Sequence, residues 1–253
     1  MRDLIDRILS SANIDQAIDE VVQNKGAPGI DGMSVGELEV YFMKHEEEIV
    51  TQIMEGTYQP QPVKRVYIPK PNGKLRGLGI PTAVDRVIQQ AVSRVLIVEY
   101  DQYFSAYSYG FRPKRNAHMA MEKALEYLND GYEWVIDLDI EKYFDTVNHD
   151  KLISILREHI NDAKVLHLIR SFLKAGVMEH GLVSPTDQGV PQGGPLSCVL
   201  SNVYLDKLDR ELEARGLRFA RYADYPEELT MPKIFTIHCP DCTSRKNFGI
   251  VSS

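Results

Sequence analysis

Two aspartates far apart in the chain, Asp139 and Asp224, each close a stretch with the alternation of a β-strand. In "EWVIDLDIEKYF" (133–144), Trp134, Ile136, Leu138 and Ile140 fall on one side and Val135, Asp137 and Asp139 on the other. "LRFARYAD" (217–224) ends on Asp224. A carboxylate on a half-buried strand is costly unless a cation or hydrogen-bond donors meet it. Were the two strands neighbours, both carboxylates would converge at one sheet edge. Hard divalent cations such as Mg2+ take oxygen ligands of this kind, completed by water and substrate phosphate. Two such ions roughly 3.5–4 Å apart clamp the attacking and leaving oxygens of a phosphoryl transfer. Asp137 reads as a structural cap and not as a ligand.

Three further stretches could serve that chemistry. The turn "GVPQGGPLS" lets backbone approach a flat ligand, and its Gln192 can hydrogen-bond to a base or a sugar. Lys70, Lys74 and Arg76, on a β-hairpin, could grip a triphosphate. The loop 107–115 sets Tyr107, Tyr109 and Phe111 among Arg112, Lys114 and Arg115, a mixture suited to single-stranded nucleic acid. Each also has a plain structural reading: a turn leading a helix, a solvated basic hairpin, aromatics packing a core.

The elements that must position these residues follow from periodicity. Residues 1–22 read as one amphipathic helix, and "NKGAPGIDGMS" (24–34) as a turn-rich loop. Ser34 and Glu37 form a capping box for a helix that Gly56 closes. Residues 63–81 read as a hairpin around Pro71-Asn72-Gly73, and helical spacing resumes from Thr82. Helices are expected at about 117–129, 149–160, 162–175 and 196–215, the last closed by Gly216. Helices and strands in this order predict an α+β, or mixed α/β, protein.

Composition narrows the function classes. The net charge of -7 argues against a polyanion partner, but it is unevenly distributed. Residues 1–59 hold 4 Lys/Arg against 12 Asp/Glu, residues 60–116 hold 10 against 3, and the remainder 15 against 21. The central basic block can bind phosphates locally. No apolar run approaches the roughly 18 residues of a membrane span. The acidic, helical N-terminus is neither a signal nor a transit peptide. Three cysteines, two of them crowded at Cys239 and Cys242, suit a reduced cytoplasmic protein without a disulfide framework.

The order of the motifs resembles that of the reverse transcriptases, and among them the group II intron-encoded, maturase-type branch. "NKGAPGIDG" resembles that branch's N-terminal signature. "YIPKPNGKLRGLGIPTAVDRVIQQAV" and "SYGFRPKRNAHMA" resemble its two fingers blocks. "WVIDLDIEKYFDTVNHDKL" resembles polymerase motif A, "GVPQGGPLSCVLSNVYLDKLD" motif B, and "RYAD" the front of motif C, which in this family reads Tyr-Ala-Asp-Asp. The resemblance runs from about residue 20 to 224.

It implies a polymerase right hand: an N-terminal extension (1–59), fingers (60–132) and a palm (133–224) with fingers-side helices at about 149–190. The palm would be a small antiparallel sheet backed by helices. Asp139 and Asp224 would be metal-binding catalytic carboxylates for two Mg2+ ions, with Mn2+ as a substitute. Phe144 would stand at the sugar-selecting position, Lys70 and Arg76 would contact the triphosphate, and Gln192 would position nucleotide and template. Arg112, Lys114 and Arg115 would contact RNA. The implied partners are an RNA template or intron RNA, a DNA primer and deoxynucleotides, without a membrane. The implied setting is a bacterial-type cytoplasm, with association to the nucleoid.

The resemblance breaks within motif C. Where the pattern calls for a second acid the chain has Tyr225, and Pro226 follows. Residues 225–253 show no palm pattern, and no thumb is matched. The change reads as a frameshift, deletion or recombination within motif C, or else as a divergent tail. "CPDC" (239–242) has the spacing of half a zinc site, without a second pair. The chain is therefore expected to be an RNA-directed DNA polymerase by family that is inactive or crippled. The alternative is a non-catalytic RNA-binding remnant of an intron maturase.

Overall fold

Ser34 and Glu37 form the expected capping box: the Ser34 backbone N–H donates to the Glu37 carboxylate at 2.8 Å, and the Ser34 side chain accepts from the Glu37 backbone. In the computed structural model a 3-10 turn (Val35–Glu37) follows, and then an α-helix that Gly56 closes at φ 73°. The structure describes residues 3–69, 73, 75–132, 134–140, 142–223 and 232–238. Of Arg76, Trp134, Asp137, Asp139, Ala223 and 232–238 it describes the backbone alone. Lys70, Lys74, the Pro71-Asn72 dipeptide, Asp224, Tyr225, Cys239 and Cys242 lie outside the described residues. No helix among the described residues is long and apolar enough to cross a membrane.

The chain divides by packing into two units, along different lines from the motif-based division. One comprises Met1–Phe104 with Lys142–Tyr204, the other Ser105–Glu141 with Leu205–Ser253.

In the first unit the helix expected over 1–22 is two helices, α1 (Leu4–Ile8) and α2 (Ser11–Gln23). Ser10 is extended between them, and the Asn13 side-chain amide donates to the Ile8 carbonyl at 2.8 Å, the kind of local bond that competes with helix continuation. The helix after the capping box is α3 (Leu38–Glu55), and β1 (Val63–Pro69) and β2 (Leu75–Ile80) form the expected hairpin. Helix α4 (Ala83–Asp101), capped by Thr82, is the axis of this unit, with Val87, Ile88, Ala91, Val92 and Leu96 fully buried. Arg94 of α4 bonds Asn13, Gln16 and Glu20 of α2, fastening the N-terminal helices to it.

Helices follow for the later part of this unit. In the second unit the helix over 117–129 is present as α5 (Ala117–Asn129), and β3 (Trp134–Asp139) follows it. The chain then returns to the first unit with α6 (Tyr143–Thr146), α7 (His149–Leu156) and α8 (Ala163–Leu173). Two short strands, β4 (Val177–Glu179) and β5 (Leu182–Ser184), were not expected. They are joined by His180-Gly181, both at positive φ, as a two-residue hairpin turn demands. Strand β4 also pairs in parallel with β1, giving a sheet ordered β2-β1-β4-β5. Helix α9 (Pro195–Ala214) begins in this unit and ends in the second.

In the second unit, β6 (Arg218–Ala223) follows Gly216, as expected. The tail brings a correction. Its residues Pro232–His238 form β7, which pairs antiparallel with both β3 and β6, so the sheet order is β3-β7-β6. The segment "PKIFTIH" is rich in β-favouring residues, and its proline stands first, where a missing N–H is tolerated. Strands β3 and β6 are thus not direct neighbours, because β7 lies between them.

Candidate functional site

The motif B turn is fastened from several directions within the first unit. The Gly79 N–H, at the end of β2, donates to the Gln192 carbonyl at 2.8 Å. Gly193 has φ 110°, and a Cβ there would lie 2.9 Å from the Gly79 carbonyl oxygen. On the other side the Val190 N–H donates to the Phe144 carbonyl at 2.6 Å and the Gly189 N–H to Val147 at 2.7 Å. A Cβ on Gly189 (φ 92°) would meet the Phe144 oxygen at 2.9 Å. The glycines of this turn are thus required by positive φ and by close backbone approach. Buried His149 contributes one more tie: its Nε2 lies 2.7 Å from the Gly189 carbonyl, so Nε2–H donates. Its Nδ1 is buried without a partner.

The consequence is one block that carries β2, Gln192 and Phe144. Arg76 lies on β2, three residues before Gly79 and opposite Ile68 of β1. Phe144 is buried, its ring edge-on to Tyr143 at 5.1 Å, and the Tyr143 hydroxyl donates to the Ser201 carbonyl of α9 at 3.2 Å. Three of the four expected nucleotide-binding positions therefore share a single hydrogen-bonded frame.

The carboxylate-bearing strands belong to the second unit. Asp139 and Tyr222 both pair with Lys233, and Ala223 pairs with Pro232. Strands β3 and β6 therefore run in the same direction and finish at the same end of the sheet. They are two strand spacings apart, roughly 10 Å. Asp139 is the last residue of β3, and Asp224 is the residue after the end of β6. Among the described residues no group of three or more His, Cys, Asp or Glu could hold a metal ion.

A buried polar network holds β6 in place, and it escaped the sequence reading. Arg221, three residues before Asp224, has its guanidinium wholly enclosed. Its Nε and Nη2 donate to the Asp209 carboxylate of α9 at 2.7–3.0 Å, and Nη2 also donates to the Ser108 hydroxyl at 2.7 Å. Burial raises the Asp209 carboxyl above its ordinary pKa, and Arg221 pulls it back down. The backbone of 107–109 continues the sheet beyond β6, with Tyr109 N–H donating to the Arg221 carbonyl and Arg221 N–H to the Tyr107 carbonyl. A legible signal existed: Asp209 sits on the same helical line as Leu205 and Leu212, a charge on an apolar stripe.

The aromatic-basic loop is used differently from the expectation. Arg112 is turned inward, donating to the Ser105 and Ser108 carbonyls at 2.6 and 2.9 Å, so it staples the loop and does not face RNA. Tyr109 is a core residue against Ala120 of α5 and Ala220 of β6, and Tyr107 packs on Phe219. Arg115 donates to the Ala106 carbonyl and lies over the Tyr109 ring. Lys114 remains exposed. The aromatic faces serve the core because their neighbours on β6 and α5 are small or apolar.

Comparison with known proteins agrees with this architecture. The family described as reverse transcriptase (RNA-dependent DNA polymerase) matches residues 68–225, more than half of the chain. The chain belongs to the reverse transcriptase family. It is 38% identical to the group II intron-encoded protein LtrA of Lactococcus lactis over 223 residues, 88% of this chain and 36% of LtrA. It is 40% identical to Protein YkfC of Escherichia coli (strain K12) over 202 residues, 78% of this chain and 53% of YkfC. A chain of a partial Cas6-RT-Cas1–Cas2 complex shares the fold, with a TM-score of 0.59 at 24% identity, over 93% of this chain and 38% of that one. The chain thus spans about half or less of the length of these curated relatives.

Proposed function

We propose that this chain is the fingers and palm of a group II intron-type reverse transcriptase, with its nucleotide frame intact and its acid set one short. The observation that carries this is the hydrogen-bonded block joining β2, the 188–194 turn and Phe144. In it Phe144 stands under the sugar and disfavours a 2′-hydroxyl. Gln192 positions nucleotide and template, and Lys70 and Arg76 meet the triphosphate. RNA template and DNA primer follow the exposed basic surface that includes Lys114.

Asp139 and Asp224 are the carboxylates for two divalent ions, Mg2+ or in its place Mn2+. The shared sheet end of β3 and β6 and the oxygen-only donors suit such ions. When bound, the ions neutralise charge at the transferring phosphorus. The protein's own part is positioning: within the first unit the block fixes the sugar and base, and within the second the two strands carry the acids. Tyr225 stands where the family pattern has a further acid, and it brings no carboxylate for a divalent ion. The loss is on the scale of one transition-state donor, about 3–4 kcal/mol, or roughly 10²–10³ in rate.

Primer extension with Mg2+ and a competition assay between labelled dNTP and rNTP test this together. The purified chain is expected to give no template-directed product, yet to bind dNTP in preference to rNTP, and Phe144→Val should erode that preference. Product formation by the unmodified chain would overturn the deficit. A preference indifferent to Phe144→Val would overturn the block as the sugar-selecting site. Tyr225 favours a second reading, a non-catalytic RNA-binding remnant, which predicts RNA binding without any dNTP binding.

A further inference from the structure

The α7–α8 hairpin of the first unit carries a feature that the polymerase roles leave unused. Between the two helices lies a groove of about 460 Å³. Its floor is Ile153, Ile160 and Leu166, and its rim is Arg157, Asn161, His167 and Arg170. Arg170 is held by Asp150 at 2.5 Å, and the His167 Nε2 lies 3.1 Å from the Gly56 carbonyl. Arg157 is exposed and has no partner among the described residues.

The local charge reinforces the rim. Residues 149–175 hold five Lys/Arg and three Asp/Glu, whereas residues 117–253 as a whole are acidic. The acids are already engaged. Asp150 pairs with Arg170, and Asp162 accepts from the backbone N–H groups of Ile5, Lys164 and Val165. A free guanidinium beside an apolar floor is therefore the dominant chemistry of the groove.

We propose that this groove is an accessory site for single-stranded RNA, outside the nucleotide block. A phosphodiester pairs with the Arg157 fork, whose planar geometry matches phosphate. The attached ribose or base rests on Ile153, Ile160 and Leu166, within reach of the Asn161 amide. An acidic peptide, whose carboxylates also fit the guanidinium fork, is the competing occupant. The proposal rests on the nucleic-acid-binding reading given above.

The test is anisotropy of a labelled 20-nucleotide RNA titrated with the full chain from 50 to 300 mM salt. Arg157→Ala should weaken binding severalfold and lower the slope of log affinity against log salt by about 0.7, the contribution of one phosphate on a single strand. Arg157→Lys should keep the slope and lose part of the affinity. If the unmodified chain binds RNA and Arg157→Ala changes neither quantity, the groove is not a contact and only this inference falls. If the unmodified chain binds no RNA at all, the nucleic-acid reading falls with it. Displacement of the RNA from Arg157 by poly-glutamate at equal affinity would overturn the assignment in favour of an acidic peptide.

Discussion

Replacing Arg221 by methionine leaves the Asp209 carboxylate enclosed with no counter-ion. Both side chains are essentially without solvent, and three contacts of 2.7–3.0 Å join them. Removing one member of such a pair costs about 3–5 kcal/mol, mostly from the charge left behind. The pH dependence gives an independent measure. Burial already raises the Asp209 carboxyl, and loss of Arg221 raises it further. Between the unfolded value near 4 and the raised folded value, the folded state holds the extra proton, so stability falls as pH rises. The slope for one proton is at most about 1.4 kcal/mol per pH unit. The variant should therefore stand closest to the parent near pH 4–5 and furthest from it at pH 8. Asp209→Leu combined with Arg221→Met removes both charges. An apolar pair of similar volume is neutral to about 1–4 kcal/mol stabilising. The Ser108 hydroxyl loses a neighbour worth about 1 kcal/mol, so the double variant should fall within about 2 kcal/mol of the parent. Urea unfolding followed by Trp134, the single tryptophan and a residue of β3 in the same unit, reads these values. A cost below about 1 kcal/mol at pH 8, a flat pH profile, or a double variant as unstable as the sum of the singles would refute the reasoning.

Gly189 and Gly131 have almost the same φ, 92° and 93°, but a Cβ meets the Phe144 oxygen at the first and open space at the second. Gly131→Ala should cost about 1–2 kcal/mol for the left-handed backbone alone, and Gly189→Ala clearly more, with loss of dNTP binding; equal thermal shifts would sink the close-packed turn. Arg112→Ala should lower stability by about 1–3 kcal/mol because two carbonyls lose their donor, while Lys114→Ala should weaken RNA binding at unchanged stability; the reverse pattern in melting and anisotropy would restore Arg112 to the surface. Burial raises the pKa of Asp85, although Thr82, Tyr58 and Gln61 donate to it. Its contribution is then present in full below about pH 4 and lost as pH rises through the raised value. The stability gap between the parent and Asp85→Asn should accordingly shrink as pH climbs, and a gap that widens in denaturant titrations would contradict the sign.

What could be read from the chain was what local rules specify. Ser34 with Glu37, Gly56 and Gly216 marked helix ends because capping depends on a few adjacent atoms. Alternation in "VIDLD" marked β3 because one strand carries its own period. The β4–β5 hairpin was missed because three-residue strands fall below any periodic window. Strand β7 is not legible because Pro226 breaks the strand pattern six residues before "PKIFTIH". The Arg221–Asp209 pair was illegible as a contact because a sequence shows charge but not enclosure. Arg112 was misjudged for the same reason, since an arginine beside tyrosines looks alike whether it faces solvent or staples a loop. The grouping of β2, Gln192 and Phe144 depends on glycine-permitted backbone contacts, which motif order implies only through resemblance.

The position of β7 governs when the second unit can assemble. Its residues come after both strands it joins, and among the described residues β3 and β6 meet only through them. Each β3 residue waits for a partner about a hundred positions later, a pairing of high contact order that closes slowly. During synthesis β3 and β6 would both leave the ribosome with open edges, and β7 would then join them by insertion. Assembly of this sheet is therefore a late, concerted event, and a change within 232–238 should show first in the yield of soluble protein.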